Sequence, residues 1–321
     1  MDNNFQPLVS IVFTSFNHKE YLKQALDSLI NQSYTNYEII IVDDCSTDGS
    51  QEILLQYDHL EKVSLKLQTI NSGSYVKASN YGASFAKGAF LLFAQCDDFS
   101  SPNQLENLVK AFSLSPSIGV VWSRSNMVNK EGIVFEDDFK GREKKFTDQC
   151  KSDVLMNGGE MRRYLSYSCV LPNLSAALIK KELYELVGGL SEKYQVASDW
   201  AFWLSLSEIT DFYYLASSLN NFRQHETTIR SKVKVERQII EIFTIFYEHG
   251  KNNNLRKNEL RHLKIGFGFI WFSFIFSGVS SWLKSFYSIF KRTFNEEKFN
   301  LIFLSLGIYV YIREVFYNRF K

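Results

Sequence analysis

The chain has 321 residues, 45% of them apolar, and a formal net charge of +1. That is enough apolar material for one large or two smaller cored domains, which excludes a disordered tract, and the overall charge gives no sign of a nucleic-acid binder. Cys45, Cys96, Cys150 and Cys169 have neither metal-ligand nor disulfide-framework spacing, which fits a reducing compartment, and MDNNFQPLVSIVF has no basic segment ahead of its apolar run, so no secretory leader is expected.

Taken in order, Leu8 to Thr14 (LVSIVFT) reads as a buried strand. Tyr21, Leu22, Ala25, Leu26, Leu29 and Ile30 then recur at helical spacing, with Asn17 and Glu20 predicting a capping box at the start and Asn31 marking the end. Tyr37 to Val42 is a second strand, Ser50 to Tyr57 a helix and Val63 to Gln68 a weaker strand. Val76 to Ala86 predicts a helix that stops at Lys87-Gly88, and Phe90 to Ala94 is a fourth strand, apolar throughout. Further on, Ile118 to Trp122 and Phe212 to Ala216 read as strands, NMVNKEGIVF as a hairpin, Glu136 to Lys151 as a charged loop and Gly188-Gly189 as a tight turn.

Alternating strands and helices predict a doubly wound α/β fold with a mainly parallel sheet between helices. Two strands end in carboxylates, at Asp43-Asp44 and Asp97-Asp98. Open α/β sheets bind ligands outside the carboxyl ends of their strands, and acidic groups crowded at one rim call for a cation or hydrogen-bond donors between them. Two uses are compatible with Asp97 and Asp98: ligands for a hard cation that bridges to phosphate, or caps for a helix beginning near Pro102. No GxGxxG or GxxxxGK[ST] follows a strand, which disfavours dinucleotide and P-loop sites.

The segments LVSIVFTSFNHKEYLKQALDSLINQSYTNYEIIIVDDCSTDGS, NSGSYVKASNYGASFAKGAF, FAQCDD and VGGLSEKYQVASDWAFWLSL together resemble the family 2 glycosyltransferases, over about Leu8 to Ser231. The resemblance implies a GT-A, Rossmann-like fold and an inverting transfer from a nucleotide-diphosphate sugar. It also implies that Thr14 and Phe16 line the base pocket, that Asp44 bonds the pyrimidine ring, and that Asp43 and Asp48 support that loop. The family's Asp-x-Asp aligns with Gln95-Cys96-Asp97, so Asp97 takes the metal-binding position for Mn²⁺ or Mg²⁺. Gln95 and Asp98 stand beside it, towards the ribose or sugar. The family's Ala-Arg-Asn reads Ala78-Ser79-Asn80, leaving Lys77 as the candidate cation for the diphosphate, with a solvated helix charge as its other reading.

In the same comparison Tyr167 to Ile179 matches a segment under the acceptor site, with polar points at Pro172, Asn173 and Ser175. The family's Glu-Asp pair becomes Ser198-Asp199, which makes Asp199 the expected base, a role compatible with capping the helix it precedes. FRQHETTIR (222–230) matches an Arg-x-His element near the diphosphate, making His225 a metal or phosphate ligand with Arg223 nearby.

The last seventy residues differ in character. From Lys251 to Lys321 there are 12 Lys or Arg against 4 Glu, a net +8, which leaves −7 for Met1 to Gly250. Val233 to His249 predicts an amphipathic helix, Asn252 to Asn254 a polar break, and Ile265 to Leu283 and Leu301 to Ile312 two apolar, aromatic runs. A helical hairpin packed on the first domain, an interfacial helix pair on anionic lipid, and a membrane span all fit these runs. The expected layout is a catalytic domain over 1–231 and a helical extension over 232–321. The expected setting is surface polysaccharide synthesis on the inner membrane face, with a nucleotide-sugar donor expected to be UDP-linked and a saccharide or lipid-linked acceptor. The other reading is a nucleotide-sugar-binding relative that has lost turnover.

Overall fold

The computed structural model describes residues 6–137, 146, 150–171, 173–226, 233–252, 257–276, 307–310 and 312–313. Most of the charged loop at Glu136 to Lys151, Pro172, residues 227–232, residues 277–283 of the first apolar run and most of the second lie outside them.

The chain contacts group into two compact units, one of Met1–Gly158 with Val170–Glu226, the other of Gly159–Cys169 with Thr227–Lys321. The first unit is built on a ten-stranded sheet. Its strands are β1 (Val9–Ser15), β2 (Tyr37–Asp43), β3 (Val63–Leu67), β4 (Phe90–Gln95), β5 (Phe99–Ser100), β6 (Ile118–Val128), β7 (Val134–Asp137), β8 (Val154–Met156), β9 (Ala177–Lys180) and β10 (Asp211–Arg223). The order is β3-β2-β1-β4-β9-β6-β10-β5, with β7 on β6 and β8 on β10. β1 to β4 are parallel neighbours, and β6 runs parallel to β10. β9 lies antiparallel between β4 and β6. The result is the mixed, mainly parallel sheet expected from the pattern.

The helices are α1 (Lys19–Ile30), α2 (Ser50–Leu55), α3 (Tyr75–Ala83), α4 (Gln104–Ala111), α5 (Gly158–Leu165), α6 (Lys181–Leu186), α7 (Ser198–Leu206), α8 (Val235–Asn252) and α9 (Lys257–Phe276). Alternation along the strands sorts them by face. Val9, Ile11, Phe13, Ile39 and Ile41 join the core formed with α1 and α4, through Leu22, Leu26, Leu29, Leu105 and Leu108. The intervening Val12 and Val42 face α3, where a Cβ on Gly82 would stand 2.5 Å from Val12 and 3.0 Å from Val42. Only a glycine lets this helix lie so close to the sheet. Strands buried on both sides explain why β1, β2 and β4 read as continuous apolar runs.

Two local expectations are corrected. Asn17 does not cap α1. The capping position is His18, which makes no side-chain cap bond. Asn17 instead adopts φ +53 and its Oδ1 accepts the Thr47 amide, while Asp48 Oδ2 accepts the Lys19 amide at the head of the helix. The cap is therefore supplied across the loop, not by the local box. α3 ends at Ala83 rather than Ala86, and Gly88 serves a different purpose: a Cβ there would come within 2.6 Å of the Leu8 carbonyl.

In the second unit Arg162 and Glu259 form a largely buried ion pair at 2.9 Å, and Tyr167 Oη lies 3.2 Å from His262 Nδ1. A Cβ on Gly266 would overlap the Ser166 carbonyl, so α9 meets the 159–169 segment backbone to backbone. Among the described residues no helix is long and apolar enough to cross a membrane.

Candidate active site

The strand order places β2 on one side of β1 and β4 on the other, after α1 and α3 have left on opposite faces. That is a topological switch point, and the crevice outside the carboxyl ends of β1 and β4 is where such sheets bind ligands. Thr14 pairs with Gln95 and with Val42, and Ser15 with Asp43, so the expected base and metal segments reach the same edge. Thr14 is buried, Phe16 is exposed just beyond β1, and Gln95 is half-buried at the end of β4.

The carboxylates after β2 are held from within. Asp43 is fully buried and accepts from the Ser46 amide, Ser46 Oγ at 2.6 Å and Gln51 Nε2 at 2.9 Å. Asp44 accepts from the Ser72 amide and Ser72 Oγ, both at 2.8 Å, and from Asn71 Nδ2 at 3.1 Å. Asp48 accepts from the Ser50 amide and hydroxyl as well as from Lys19. Burial raises the Asp48 carboxyl, but these donors outweigh it and leave the group below its ordinary range. Lys77 is exposed on α3, whose inward face is Val76, Ala78, Ser79, Gly82 and Ala83.

The carboxylates after β4 part company. Asp97 keeps 21% of its side chain exposed, and its Oδ2 lies 2.9 Å from Nε2 of His225, itself only 5% exposed. Asp98 turns inward. It accepts from the Arg223 amide at 3.0 Å, from Ser175 Oγ in a short hydrogen bond and from Asn173 Nδ2 at 3.4 Å. Burial, reinforced by the Asp97 charge, pushes the Asp98 carboxyl well above the ordinary carboxylate range, against the pull of Ser175 and Arg223. The helix-cap reading of this pair is corrected: α4 is preceded by Asn103 without a side-chain cap, and its Leu105 amide is taken by Gln32 Oε1.

Arg223, placed by the sequence near the diphosphate, is 1% exposed and spends its donors inside the protein. Nε donates to the Asp97 carbonyl, Nη1 to the carbonyls of Asn129 and Lys130, and Nη2 to Gln24 Oε1. Its guanidinium stacks 4.6 Å from the Tyr21 ring and 5.4 Å from Phe99. It thereby ties the Asp97 loop, the β6–β7 hairpin and α1 together, two residues before His225. His18 closes the group, with its ring 5.3 Å from that of His225 and its Nδ1 3.6 Å from Cys96 Sγ. Sequence reasoning missed His18 and the inward turn of Arg223, because both depend on contacts between distant segments.

Asp199 enters from another element. It lies in the first turn of α7 rather than at its cap, which is Ala197, and its Oδ1 accepts the Trp200 amide at 2.7 Å. Gly188 and Gly189, at φ +81 and +77, make the expected turn ahead of it.

For a divalent cation, Asp97 and His225 supply a hard oxygen and an imidazole nitrogen side by side. Among the described residues no third His, Cys, Asp or Glu completes a protein cage. The pair fits a cation that takes the rest of its shell from phosphate oxygens and water.

Comparisons with known proteins point to one family and one fold. Residues 10–167 match the sequence model of glycosyl transferase family 2. The chain is 33% identical over 130 residues to a putative teichuronic acid biosynthesis glycosyltransferase, TuaG, of Bacillus subtilis, covering 40% of this chain and 51% of that protein. It is 27% identical over 213 residues to the hyaluronan synthase of Pasteurella multocida, covering 66% of this chain and 20% of the synthase. The chain thus spans about half or less of the length of these relatives. Among solved structures, S. aureus TarS 1-349 in complex with UDP-GlcNAc superposes with a TM-score of 0.67 at 20% identity, covering 86% of this chain and 79% of that one. A mannosyltransferase, PcManGT from Pyrobaculum calidifontis, in complex with GDP-Man and Mn²⁺, gives 0.59 at 14% identity over 96% and 88%. These neighbours share the GT-A fold, and residues 10–167 of this chain belong to glycosyl transferase family 2.

Proposed function

We propose that this chain is an inverting glycosyltransferase that moves a sugar from a nucleoside diphosphate sugar, UDP-linked, to a saccharide or glycolipid acceptor in surface polysaccharide synthesis. The observation that carries the reading is the meeting of Thr14, Gln95 and the Asp97–His225 pair at the β1/β4 switch point of a GT-A sheet. The complexes of structural neighbours with UDP-GlcNAc and with GDP-Man and Mn²⁺ support a nucleotide-sugar donor at that edge.

Thr14, Phe16 and Asp44 hold the base, with the 71–74 loop clasped by Asp44 closing one side. Gln95 bonds a ribose or sugar hydroxyl, and Lys77 is the cation available to the diphosphate from α3. Asp98 acts from below, fixing the loop that carries Asp97. Mn²⁺ or Mg²⁺ bound at Asp97 and His225 would neutralise charge building on the departing diphosphate. Asp199 takes the proton of the acceptor hydroxyl as its oxygen bonds to the anomeric carbon and the bond to the diphosphate breaks with its electron pair leaving on phosphate oxygen. The +8 charge of the last seventy residues supports docking on the anionic inner face of a membrane.

Calorimetric titration with UDP, GDP, CDP and dTDP, with and without Mn²⁺, tests the donor site. Metal-dependent binding of UDP is the expected result, and binding of none would sink the reading. Asp199→Asn should then retain UDP binding while transfer falls by about 10³, within the usual range for a general base. A second reading, donor binding without turnover, is favoured by Gln95 standing where a carboxylate is usual. Any sugar transfer or donor hydrolysis above that of Asp199→Asn rules it out.

A further inference from the structure

One amide side chain joins the donor half of the site to the segment that presents Asp199. Asn80, on α3, donates from Nδ2 to the Leu190 carbonyl at 2.8 Å and accepts the Leu190 amide on Oδ1 at 3.1 Å. It bonds both polar groups of one backbone unit, as a neighbouring strand would. The same Oδ1 accepts Tyr184 Oη at 2.6 Å. Gly189 fits beneath this knot: a Cβ there would lie 3.0 Å from Tyr184 Oη and 3.2 Å from Asn80 Oδ1, at a φ of +77.

The chain then passes directly to the base. The carbonyl of Ser191, next after Leu190, accepts the Ser198 hydroxyl at 2.9 Å, and Ser198 is fully buried immediately before Asp199. At its other end α3 follows the 71–74 loop that Asp44 grips, and Gly82 seats it against β1 and β2. A rigid helix thus touches the base-binding loop at one end and the turn before α7 along its side.

We propose that Asn80 is a positioning residue for Asp199: through Leu190 and Ser191 it sets where the α7 carboxylate stands relative to the donor. The proposal rests on the reading of Asp199 as the base. Its energetic logic is that of geometry-dependent catalysis, where a displacement of about 1 Å costs rate without costing ground-state binding.

The test uses the full chain and two independent readouts. Asn80→Ala, and Asn80→Ser should the first variant fold poorly, should lower kcat for transfer at least tenfold while UDP affinity stays within twofold. In hydrogen exchange, amides of residues 186–197 should lose protection while those of β1 and β4 keep it. Tyr184→Phe, which leaves the amide clamp intact, should fall between these variants and the wild type. In an Asp199→Glu background, already misplaced by one methylene, Asn80→Ala should cost much less than in the wild type. Unchanged kcat, or equal costs in both backgrounds, overturns the positioning role. Wild-type turnover by Asp199→Asn would instead overturn the base assignment, and loss of protection at 186–197 in Asn80→Ala with kcat unchanged would show the clamp to be scaffold alone.

Discussion

β2 and β4 each run into two consecutive aspartates at the same edge of the sheet, and the two pairs are used in opposite ways. After β2, Asp43 and Asp44 are both buried and each accepts three hydrogen bonds, from donors a short way along the chain or from the adjacent 71–74 loop. After β4, only Asp98 is built in, and Asp97 remains partly open beside a histidine. A carboxylate that receives three internal donors is fixed in place before any ligand arrives. One kept partly open beside an imidazole at a crevice is available for chemistry. The difference is not in charge or in position along the strand but in how many hydrogen bonds the protein has already supplied.

The sharpest way to break that comparison is to remove one carboxylate from each pair. Asp97→Ala should abolish the Mn²⁺ dependence of UDP binding and lower transfer by about 10³, the scale of losing charge stabilisation at the leaving group, while the thermal midpoint stays where it was. Asp43→Ala should do the reverse. It strands the Ser46 amide and two side-chain donors in a buried site, at a cost of about 3 kcal/mol, or roughly 10 °C in the midpoint, with residual activity tracking the folded fraction. Loss of stability in the first variant, or of metal response alone in the second, would dissolve the distinction.

A smaller effect separates the frame from the loop it supports. Asp48 titrates below its ordinary range when folded, so its stabilising contribution is fully present above pH 4 and disappears as the pH falls through the lower folded value. Asp48→Asn should flatten the acid limb of the stability curve by less than about 1 kcal/mol, because the group is only half-buried and solvent screens it. A steeper acid limb in the variant would show the sign to be wrong.

Much of the sheet is legible in the sequence, since strands buried on both faces must be apolar along their length, and β1, β2 and β4 are. The end of α3 is not, because Lys87-Gly88 looks like an ordinary helix stop while Gly88 answers to the backbone at Leu8 and Ser10. The identity of the acidic edge was readable for a similar reason: charge at the end of an apolar strand stands out locally. The division of labour between Asp97 and Asp98 was not, since the partners that bury Asp98 are Ser175 and Arg223, 77 and 125 residues further on. Nor was the role of Arg223 itself, whose acceptors on Asn129, Lys130 and Gln24 come together only when β10 lies beside β6.

That arginine has a consequence for how such a site can change over generations. Three of its four acceptors are main-chain carbonyls, at Asp97, Asn129 and Lys130. A carbonyl persists whatever side chain its residue carries. Lys130 and Glu131 at the tip of the β6–β7 hairpin can therefore be exchanged without loosening the rivet beneath them, whereas Asn129, whose Oδ1 accepts two turn amides, and Gly132, at φ +83, cannot. The rivet is written in backbone and the surface above it in side chains, so selection can edit the second while leaving the first intact.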